Sequence, residues 1–309
     1  MSVRPIIIDT DPGQDDAVAI LLALGSPELE VLGITAVAGN VPLALTELNS
    51  RKICELAGKP DTKVFAGASR PMVRDLVTAE YVHGKTGLDG PDLPDPTMPL
   101  QAQNGVDFIV DTLRFQRATI CALGPLTNVA LALNKAPEIA ENIDEIVLMG
   151  GGLFEGGNVT PAAEFNIYVD PHAADVVFRS GVKITVFPLD LTHFALTTRE
   201  RVEAFRAKGT RPCMATAELL DFFERFDVEK YGSAGGPLHD PNVIAYLIDP
   251  TLYAGRFINL EVETRSELTM GMTVADWWGV SGRDPNVTYM RTVDADRFFE
   301  LLLDRIGRL

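Results

Sequence analysis

Short apolar runs alternate with amphipathic stretches over the first two-thirds of the sequence. The strand-like runs are IIID (6–9), VLGITAV (31–37), KVFAG (63–67), ATICAL (118–123), EIVLMG (145–150) and VKITVF (182–187). The helix-like stretches between them are 15–24, 43–56, 106–115, 126–134 and 171–180. This alternation is typical of βαβ units, whose strands pair in parallel. The sequence therefore predicts a Rossmann-like open α/β fold over 1–309, in which helices flank a mostly parallel central sheet and form one domain.

Polar loops follow several of these strands. In open parallel sheets, ligands bind at the carboxyl ends of the strands. DTDPGQDD (9–16), AGN (38–40) and MGGG (149–152) all occupy that position. Two Gly- and Pro-rich segments, 78–96 and 150–158, are too polar for core elements and are expected to be loops at the mouth of a site. We therefore expect the active site at this edge of the sheet.

Four carboxylates crowd the first of these loops, at positions 9, 11, 15 and 16. Carboxylates this close repel one another and take up protons unless a cation neutralises them. An all-oxygen ligand set suits Ca²⁺ or Mg²⁺ better than zinc. The competing interpretation is a helix N-terminus decorated with acids, which the helix dipole favours. A single aspartate at the helix start satisfies that interpretation, and it leaves the upstream pair unexplained.

Two other known motifs contain aspartates at similar spacing. An EF-hand is excluded because, counting from Asp9, the sixth position is Gln14 instead of Gly and the twelfth is Ile20 instead of Glu. Haloacid-dehalogenase phosphatases also have Asp-x-Asp after their first strand, but their motif continues with a Gly-Thr turn. Neither Lys52 nor Lys63 lies in a motif that supports a phosphatase. A metal-dependent phosphatase therefore remains only as an alternative.

The aspartate motif resembles the signature of the inosine–uridine-preferring nucleoside hydrolases, which cleave the N-glycosidic bond of ribonucleosides. Further blocks resemble that family in the same order along the chain: AVAGN (36–40), VHGKTGLDG (82–90), LGPLTNVALAL (123–133), MGGG…GNVTPAAEFNIYVDPHAA (149–174), HDPNVIAYL (239–247) and GMTVADWWG (271–279). The resemblance covers nearly the whole chain. It implies a ribonucleoside hydrolase that releases a free nucleobase and ribose in nucleoside catabolism or salvage.

The resemblance also implies a metal site and a catalytic base. Asp11, Asp16 and Asp240 match carboxylate ligands of one Ca²⁺ ion. The resemblance implies the backbone carbonyl of Leu123 as the fourth protein ligand, while the Leu123 side chain is expected in the core. Asp11 matches the general base that takes a proton from the metal-held water as it attacks C1′.

Several polar residues match family positions that hold the ribose. Asp15 is implied as the acceptor for the 2′-hydroxyl, and the other substrate-binding positions are Asn40, Met149, Asn158, Glu164 and Asn166. A desolvated sugar whose C1′ gains oxocarbenium-like charge needs this many polar partners. Taken singly, Asn158 is also an ordinary Gly-Asn turn residue, and Glu164 and Asn166 are also ordinary helix-start residues.

A nucleobase leaves poorly as an anion, so a proton donor is expected near it. Histidine suits this role. His239, next to Asp240, matches the base-side histidine of one family branch, and His83 matches a substrate-contacting position in a mobile loop. His172, in a helix, and His193, in a loop, are expected to be surface or structural residues.

The segment 219–237 is expected to set the base specificity. Tyr231 can stack on or hydrogen-bond a base, and Phe222, Phe223 and Phe226 either line the pocket or belong to the core. Together, the two matched histidines indicate a pyrimidine-leaning or non-specific enzyme. The purine-specific branch relies on pocket tryptophans instead, and the only two tryptophans here, Trp277 and Trp278, lie in the C-terminal block.

Composition narrows the list of partners. With 27 basic and 43 acidic residues the net charge is −16, which argues against binding nucleic acid or an anionic membrane. Three widely spaced cysteines and a start without an apolar leader favour a soluble, cytoplasmic protein. Relatives in the family form homodimers or homotetramers, so self-association is expected. A non-catalytic nucleoside-binding protein on the same fold remains an alternative.

Overall fold

The protein is represented by a computed structural model that describes the backbone of residues 3–231 and 235–309, and their side chains except those of 226–231. The strands are β1 (Arg4–Thr10), β2 (Leu29–Ala36), β3 (Val64–Ala66), β4 (Ala118–Ala122), β5 (Ile143–Met149), β6 (Ile184–Phe187), β7 (Tyr253–Val262), β8 (Thr273–Asp276) and β9 (Val287–Val293). The helices are α1 (Gln14–Leu24), α2 (Leu43–Leu56), α3 (Glu80–His83), α4 (Gly105–Phe115), α5 (Thr127–Lys135), α6 (Phe165–Val169), α7 (Pro171–Phe178), α8 (Leu189–Thr192), α9 (Arg199–Lys208), α10 (Arg211–Tyr231), α11 (Pro241–Ile248) and α12 (Ala295–Ile306).

The strands of the described chain form one sheet in the order β3-β2-β1-β4-β5-β6-β9-β7-β8. Pairing is parallel from β3 across to β9. The last two strands, β7 and β8, join in antiparallel pairing at one edge. The predicted mostly parallel α/β fold is confirmed.

Both faces of the sheet are covered by helices, and β1 shows how the sequence specifies this. Successive strand side chains point to opposite faces. Ile6 and Ile8 join the core that contains residues of α1, α11 and α12. Ile7 joins the opposite core, which contains residues of α4, α5 and α7. A strand buried on both faces has to be a continuous apolar run, as IIID nearly is.

The parallel register brings the polar loops to one edge. Asp9, near the end of β1, pairs with Thr35 of β2 and with Ala122 of β4. The loops after these strands therefore begin side by side, and the loop after β5 follows next to them. This is the edge at which the sequence places the active site.

One local prediction needs correction. Segment 78–96 is expected as a loop, yet it contains the short helix α3, which is closed by Gly84 at a positive φ of 80°. His193, expected in a loop, lies in the turn that directly follows the short helix α8. Among the helices of the described chain, none combines the length and the apolar character needed to cross a membrane.

Candidate active site

The aspartate motif connects β1 to α1. β1 ends at Thr10 and α1 begins at Gln14, so Asp11 lies in the connection and Asp15 and Asp16 in the first helical turn. Asp16 accepts hydrogen bonds from the Gly13 backbone N–H (3.0 Å) and from the Thr10 hydroxyl (2.5 Å). The carboxylate of Asp16 is thereby fixed at the helix start, and it faces the adjacent loops.

Three buried carboxylates converge here. Ligand atoms of Asp15, Asp16 and Asp240 all lie within 4.8 Å of one another. Burial, and then the neighbouring carboxylates, raise the pKa of Asp15 to about 7 and that of Asp240 well above its usual range. No ion pair found in the described part of the chain involves any of the three. A divalent cation would supply the missing positive charge, and the oxygen donors suit a hard one.

Asp11 lies beside this trio in a narrow cradle. Its Oδ2 accepts from the Asn40 backbone N–H at 2.7 Å, and its Oδ1 is buried with no hydrogen-bond partner among the described residues. A Cβ added to Gly39 or Gly124 would come within 2.0 Å and 2.2 Å of these two oxygens. Only glycine fits at both positions. A buried carboxylate oxygen that has no hydrogen-bond partner needs an explanation, and service as a cation ligand supplies one.

Asn40 links the end of β2 to the aspartate motif. Its side-chain amide donates to the Asp11 carbonyl (3.1 Å) and to Asp16 Oδ2 (3.3 Å). Asn166 makes the corresponding link on the other side, donating to the carbonyls of Leu123 (2.7 Å) and Met149 (3.2 Å). The Leu123 carbonyl therefore faces the site, while its side chain is buried in the core as expected.

Glu164 caps the start of α6 and is buried. It accepts from the backbone N–H groups of Gly151 (3.0 Å), Asn166 (2.9 Å) and Ile167 (3.2 Å). Burial raises its pKa to about 7, although these hydrogen bonds oppose the shift. Asn158 accepts from the Phe165 backbone N–H at 2.9 Å. Both residues act as local caps, and both also face the cavity.

A cavity of about 450 Å³ opens over these residues. Its lining contains most of the residues singled out from the sequence: Asp15, Asn40, His83, Leu123, Met149, Asn158, Glu164, Asn166, His239 and Asp240. Asp11 and Asp16 are not among the lining residues and are almost fully buried. The side chains of Tyr231 and Phe226 are outside the described residues. Neither Trp277 nor Trp278 lines the cavity.

The histidines are placed differently from the expectation. His83 is buried in α3 instead of lying in a loop, and burial lowers its pKa to about 3. His239 bonds Thr192 Oγ1 through Nδ1 at 2.8 Å, and burial followed by His193 and His83 lowers its pKa to about 3. His193 was expected to be a surface or structural residue, but it lines the cavity and pairs with Glu155 at 3.5 Å. His172 lies on α7 away from the cavity, as expected.

Three further residues shape the site. Phe223 of α10 lines the cavity and contacts the rings of both His83 (5.7 Å between centroids) and His239 (6.2 Å). Phe222 lies instead in a separate hollow beside Asp89. Gln14 bonds His83, and Asp190 accepts from three consecutive backbone N–H groups of the Gly-rich loop, at 153–155. From the sequence, Phe223 could be either a pocket residue or a core residue, and no pattern indicated a role for Gln14 or Asp190.

Comparison with known proteins agrees with this geometry. The sequence profile of the inosine-uridine preferring nucleoside hydrolase family matches residues 6–300. The chain is 47% identical to the pyrimidine-specific ribonucleoside hydrolase RihA of Salmonella agona over 98% of both chains. It is 52% identical to an uncharacterized protein of Schizosaccharomyces pombe over 98% of this chain and 99% of that one. The solved purine-preferring ribonucleoside hydrolase from Gardnerella vaginalis superposes with a TM-score of 0.92 at 35% identity, over 98% of both chains.

Proposed function

The chain belongs to the inosine-uridine preferring nucleoside hydrolases, which are N-glycosidases, and we propose that it is a Ca²⁺-dependent, pyrimidine-leaning member that releases a free base and ribose. The observation that carries the proposal is the arrangement of the cavity. The cavity combines buried carboxylates with two histidines, and both histidine rings contact the ring of Phe223. The carboxylates suit a cation that holds water and ribose, and the histidines suit the departing base.

Four groups are proposed to hold the cation: the carboxylates of Asp11, Asp16 and Asp240 and the carbonyl of Leu123. The unpartnered Asp11 Oδ1, the raised pKa of the neighbouring Asp240 and the inward-facing Leu123 carbonyl support this assignment. When bound, Ca²⁺ supplies positive charge that orients the attacking water and the ribose hydroxyls and lowers the pKa of that water.

Asp11 is proposed as the general base. Its Oδ2 accepts from the Asn40 N–H, so the carboxylate is held in one orientation from which it can take a proton from the attacking water. The glycines at 39 and 124 leave no room for the carboxylate to swing away. A base held in one position contributes on the order of 10²–10⁴-fold to rate.

The ribose is proposed to lie between the two amide links described above. Asp15 would accept from the 2′-hydroxyl, and Asn40, Asn158, Glu164 and Asn166 line the surrounding wall together with Met149. Glu164 is a suitable acceptor for a hydroxyl, because three backbone N–H groups hold its position. Fixed polar partners of this kind stabilise a sugar ring that gains positive charge in the transition state.

His239 is proposed to assist departure of the base. Its Nδ1 bonds the hydroxyl of Thr192, which can donate or accept, so His239 can carry its proton on either ring nitrogen. Phe223 packs edge-on against it and supplies an apolar wall for a flat base. The proposed pyrimidine preference is supported by His83 and His239 in the cavity lining, by the absence of tryptophan from the described lining, and by the likeness to RihA.

The chain is further proposed to act as one domain over 1–309, because strands from residue 4 to residue 293 share one sheet. Cytoplasmic location and assembly into homodimers or homotetramers are proposed from the family resemblance. Light scattering on the purified chain would measure the assembly directly.

Release of reducing sugar from uridine, cytidine, inosine and adenosine tests the proposal. Wild type with Ca²⁺ is expected to release ribose fastest from a pyrimidine nucleoside, and Asp11→Ala to lose the activity. Asp144→Ala, which removes an exposed carboxylate paired with Arg117, is the matched control and should behave as wild type. If the wild type releases ribose from none of the four while it still binds them, the protein is a nucleoside-binding protein. Hydrolysis of p-nitrophenyl phosphate instead would favour the phosphatase alternative.

A further inference from the structure

The Gln14 side chain is fully buried and makes three contacts with the segment that contains α3. Its Nε2 donates to the carbonyl of His83 at 2.9 Å and to that of Asp89 at 3.1 Å. Its Oε1 lies 2.7 Å from Nδ1 of the His83 ring. Gln14 follows the Pro-Gly turn of the aspartate motif, and it assists neither cation binding nor water attack as described above.

The orientation of this amide is decided by its partners. The two backbone carbonyls can only accept hydrogen bonds, so the NH₂ group must face them. The amide oxygen must then face His83, and an amide oxygen can also only accept. Nδ1 of His83 therefore carries a hydrogen. If the amide were flipped, its oxygen would oppose two carbonyl oxygens.

The ring itself has little freedom. A Cβ at Gly13 would come within 2.3 Å of His83 Nδ1, so the ring lies directly against the Pro-Gly turn. The ring also stacks on Phe223, with centroids 5.7 Å apart. Burial lowers the pKa of His83 to about 3, so near neutral pH the ring is uncharged. An uncharged ring with a hydrogen on Nδ1 has a bare lone pair on Nε2.

We propose that Gln14 is a positioning residue that fixes the Nδ1–H tautomer of His83, so that His83 Nε2 accepts a hydrogen bond from a donor N–H or O–H of the bound nucleoside. Because His83 lines the cavity and its Nδ1 is occupied, Nε2 is the ring nitrogen left for a ligand. The identity of the ligand rests on the proposed function, whereas the tautomer does not.

The two cavity histidines thereby receive different tasks. The Thr192 hydroxyl beside His239 can rotate to donate or to accept, so His239 can switch tautomers as a proton moves. The Gln14 amide beside His83 cannot adapt in this way. His83 is an acceptor that recognises the substrate, and His239 is the histidine whose ring hydrogen can move between Nδ1 and Nε2.

The direct test is the ring ¹⁵N spectrum of the full chain labelled at histidine, in the presence of Ca²⁺ near neutral pH. His83→Asn identifies the resonances of His83 among the four histidines. We expect Nδ1 protonated and Nε2 unprotonated in the wild type. In Gln14→Met, which keeps the shape and removes the acceptor, we expect a mixture of tautomers or the Nε2–H form. Gln103→Met, which removes an exposed bond to Asp111, is the matched control and should leave His83 unchanged.

A wild-type spectrum with hydrogen on Nε2 would overturn the proposal, as would an unchanged Nδ1–H spectrum in Gln14→Met. If Gln14→Met does not fold, the wild-type spectrum alone decides the tautomer. The outcome is separate from the proposed function: a fixed Nδ1–H tautomer in a protein that releases no ribose would leave this inference intact and remove the hydrolase proposal.

Substrate analogues identify the donor. Uridine has one base N–H, which 3-methyluridine lacks, and one 5′-hydroxyl, which 5′-deoxyuridine lacks. For the analogue without the relevant donor, wild-type kcat/KM is expected to fall about 2- to 12-fold, the value of one neutral hydrogen bond. In Gln14→Met that difference should shrink, as in a double-mutant cycle. If the fall in kcat/KM from uridine to each analogue is the same in the wild type and in Gln14→Met, His83 accepts from neither group.

Discussion

Without the proposed cation, the free energy of unfolding of this protein should fall as the pH rises. Asp15, Asp16 and Asp240 are buried together, and burial raises the pKa of each. The folded, cation-free protein therefore retains protons that the unfolded chain releases. The stability that a raised pKa contributes is fully present when the pH is below the pKa of the group in the unfolded chain. It is lost as the pH rises through the pKa of the group in the folded protein.

The size of the effect can be worked from one residue. The pKa of Asp15 rises from 3.8 to about 7, and its side chain is 5% exposed, so solvent screens it little. Each pKa unit is worth about 1.4 kcal/mol. At pH values above its folded-state pKa, Asp15 alone therefore lowers the free energy of unfolding by about 4 kcal/mol. That is a large fraction of the ~5–15 kcal/mol by which domains are stable. A bound cation replaces the protons, so its stabilising effect should grow with pH.

Urea unfolding with chelator and with Ca²⁺, at about pH 5 and about pH 8, measures both trends. We expect the chelated protein to be less stable at the higher pH and Ca²⁺ to close most of the gap. Asp15→Asn should reduce the pH dependence of the chelated protein, whereas Asp144→Asn, an exposed carboxylate paired with Arg117, should not. Equal stability of the chelated protein at both pH values, or a Ca²⁺ effect independent of pH, would refute the reasoning.

Three further substitutions test how the site is held. Asp190 accepts the N–H groups of Leu153 (2.8 Å), Phe154 (2.7 Å) and Glu155 (2.7 Å), so Asp190→Asn should release this loop and raise KM for uridine about tenfold, more than it lowers kcat. Tyr289→Phe removes only the hydroxyl that also bonds Asp190 and should leave KM within about twofold; equal effects of the two would contradict the role of the loop. Gly39→Ala places a Cβ 2.0 Å from Asp11 Oδ2, so ribose release should fall about a hundredfold or more and calorimetry should show weaker Ca²⁺ binding. Wild-type activity in Gly39→Ala would mean that the cradle does not fix the base.

The sequence predicts the parallel part of the sheet because each buried strand is a continuous apolar run. β4 is an example, since all five of its residues are buried. The antiparallel edge carries a weaker pattern. In β7 the segment 254–257 is exposed and only the second half is mostly buried, so no apolar run marks the strand. The sequence therefore predicts no individual strands in the last third of the fold.

The positions of the aspartates could be predicted from their place after β1, because parallel strands end at one edge. Contacts between distant parts of the chain could not. Gln14 meets His83 across 69 residues, and nothing near Gln14 indicates that its amide is buried against a histidine. His193 shows the same limit, because only the tertiary fold brings the end of α8 to the cavity beside His239.

One turn of helix connects the aspartates of the site to His83. Gln14, the proposed ribose acceptor Asp15 and the proposed cation ligand Asp16 are consecutive in α1, and the Gly13 N–H that precedes them bonds Asp16. The ring of His83 lies against that same glycine and bonds Gln14. A shift of the first helical turn that accompanies cation loss must therefore move the partner of His83 as well. We expect chelation to change the His83 ¹⁵N spectrum in the wild type and to change it less in Gln14→Met, where that connection is already broken.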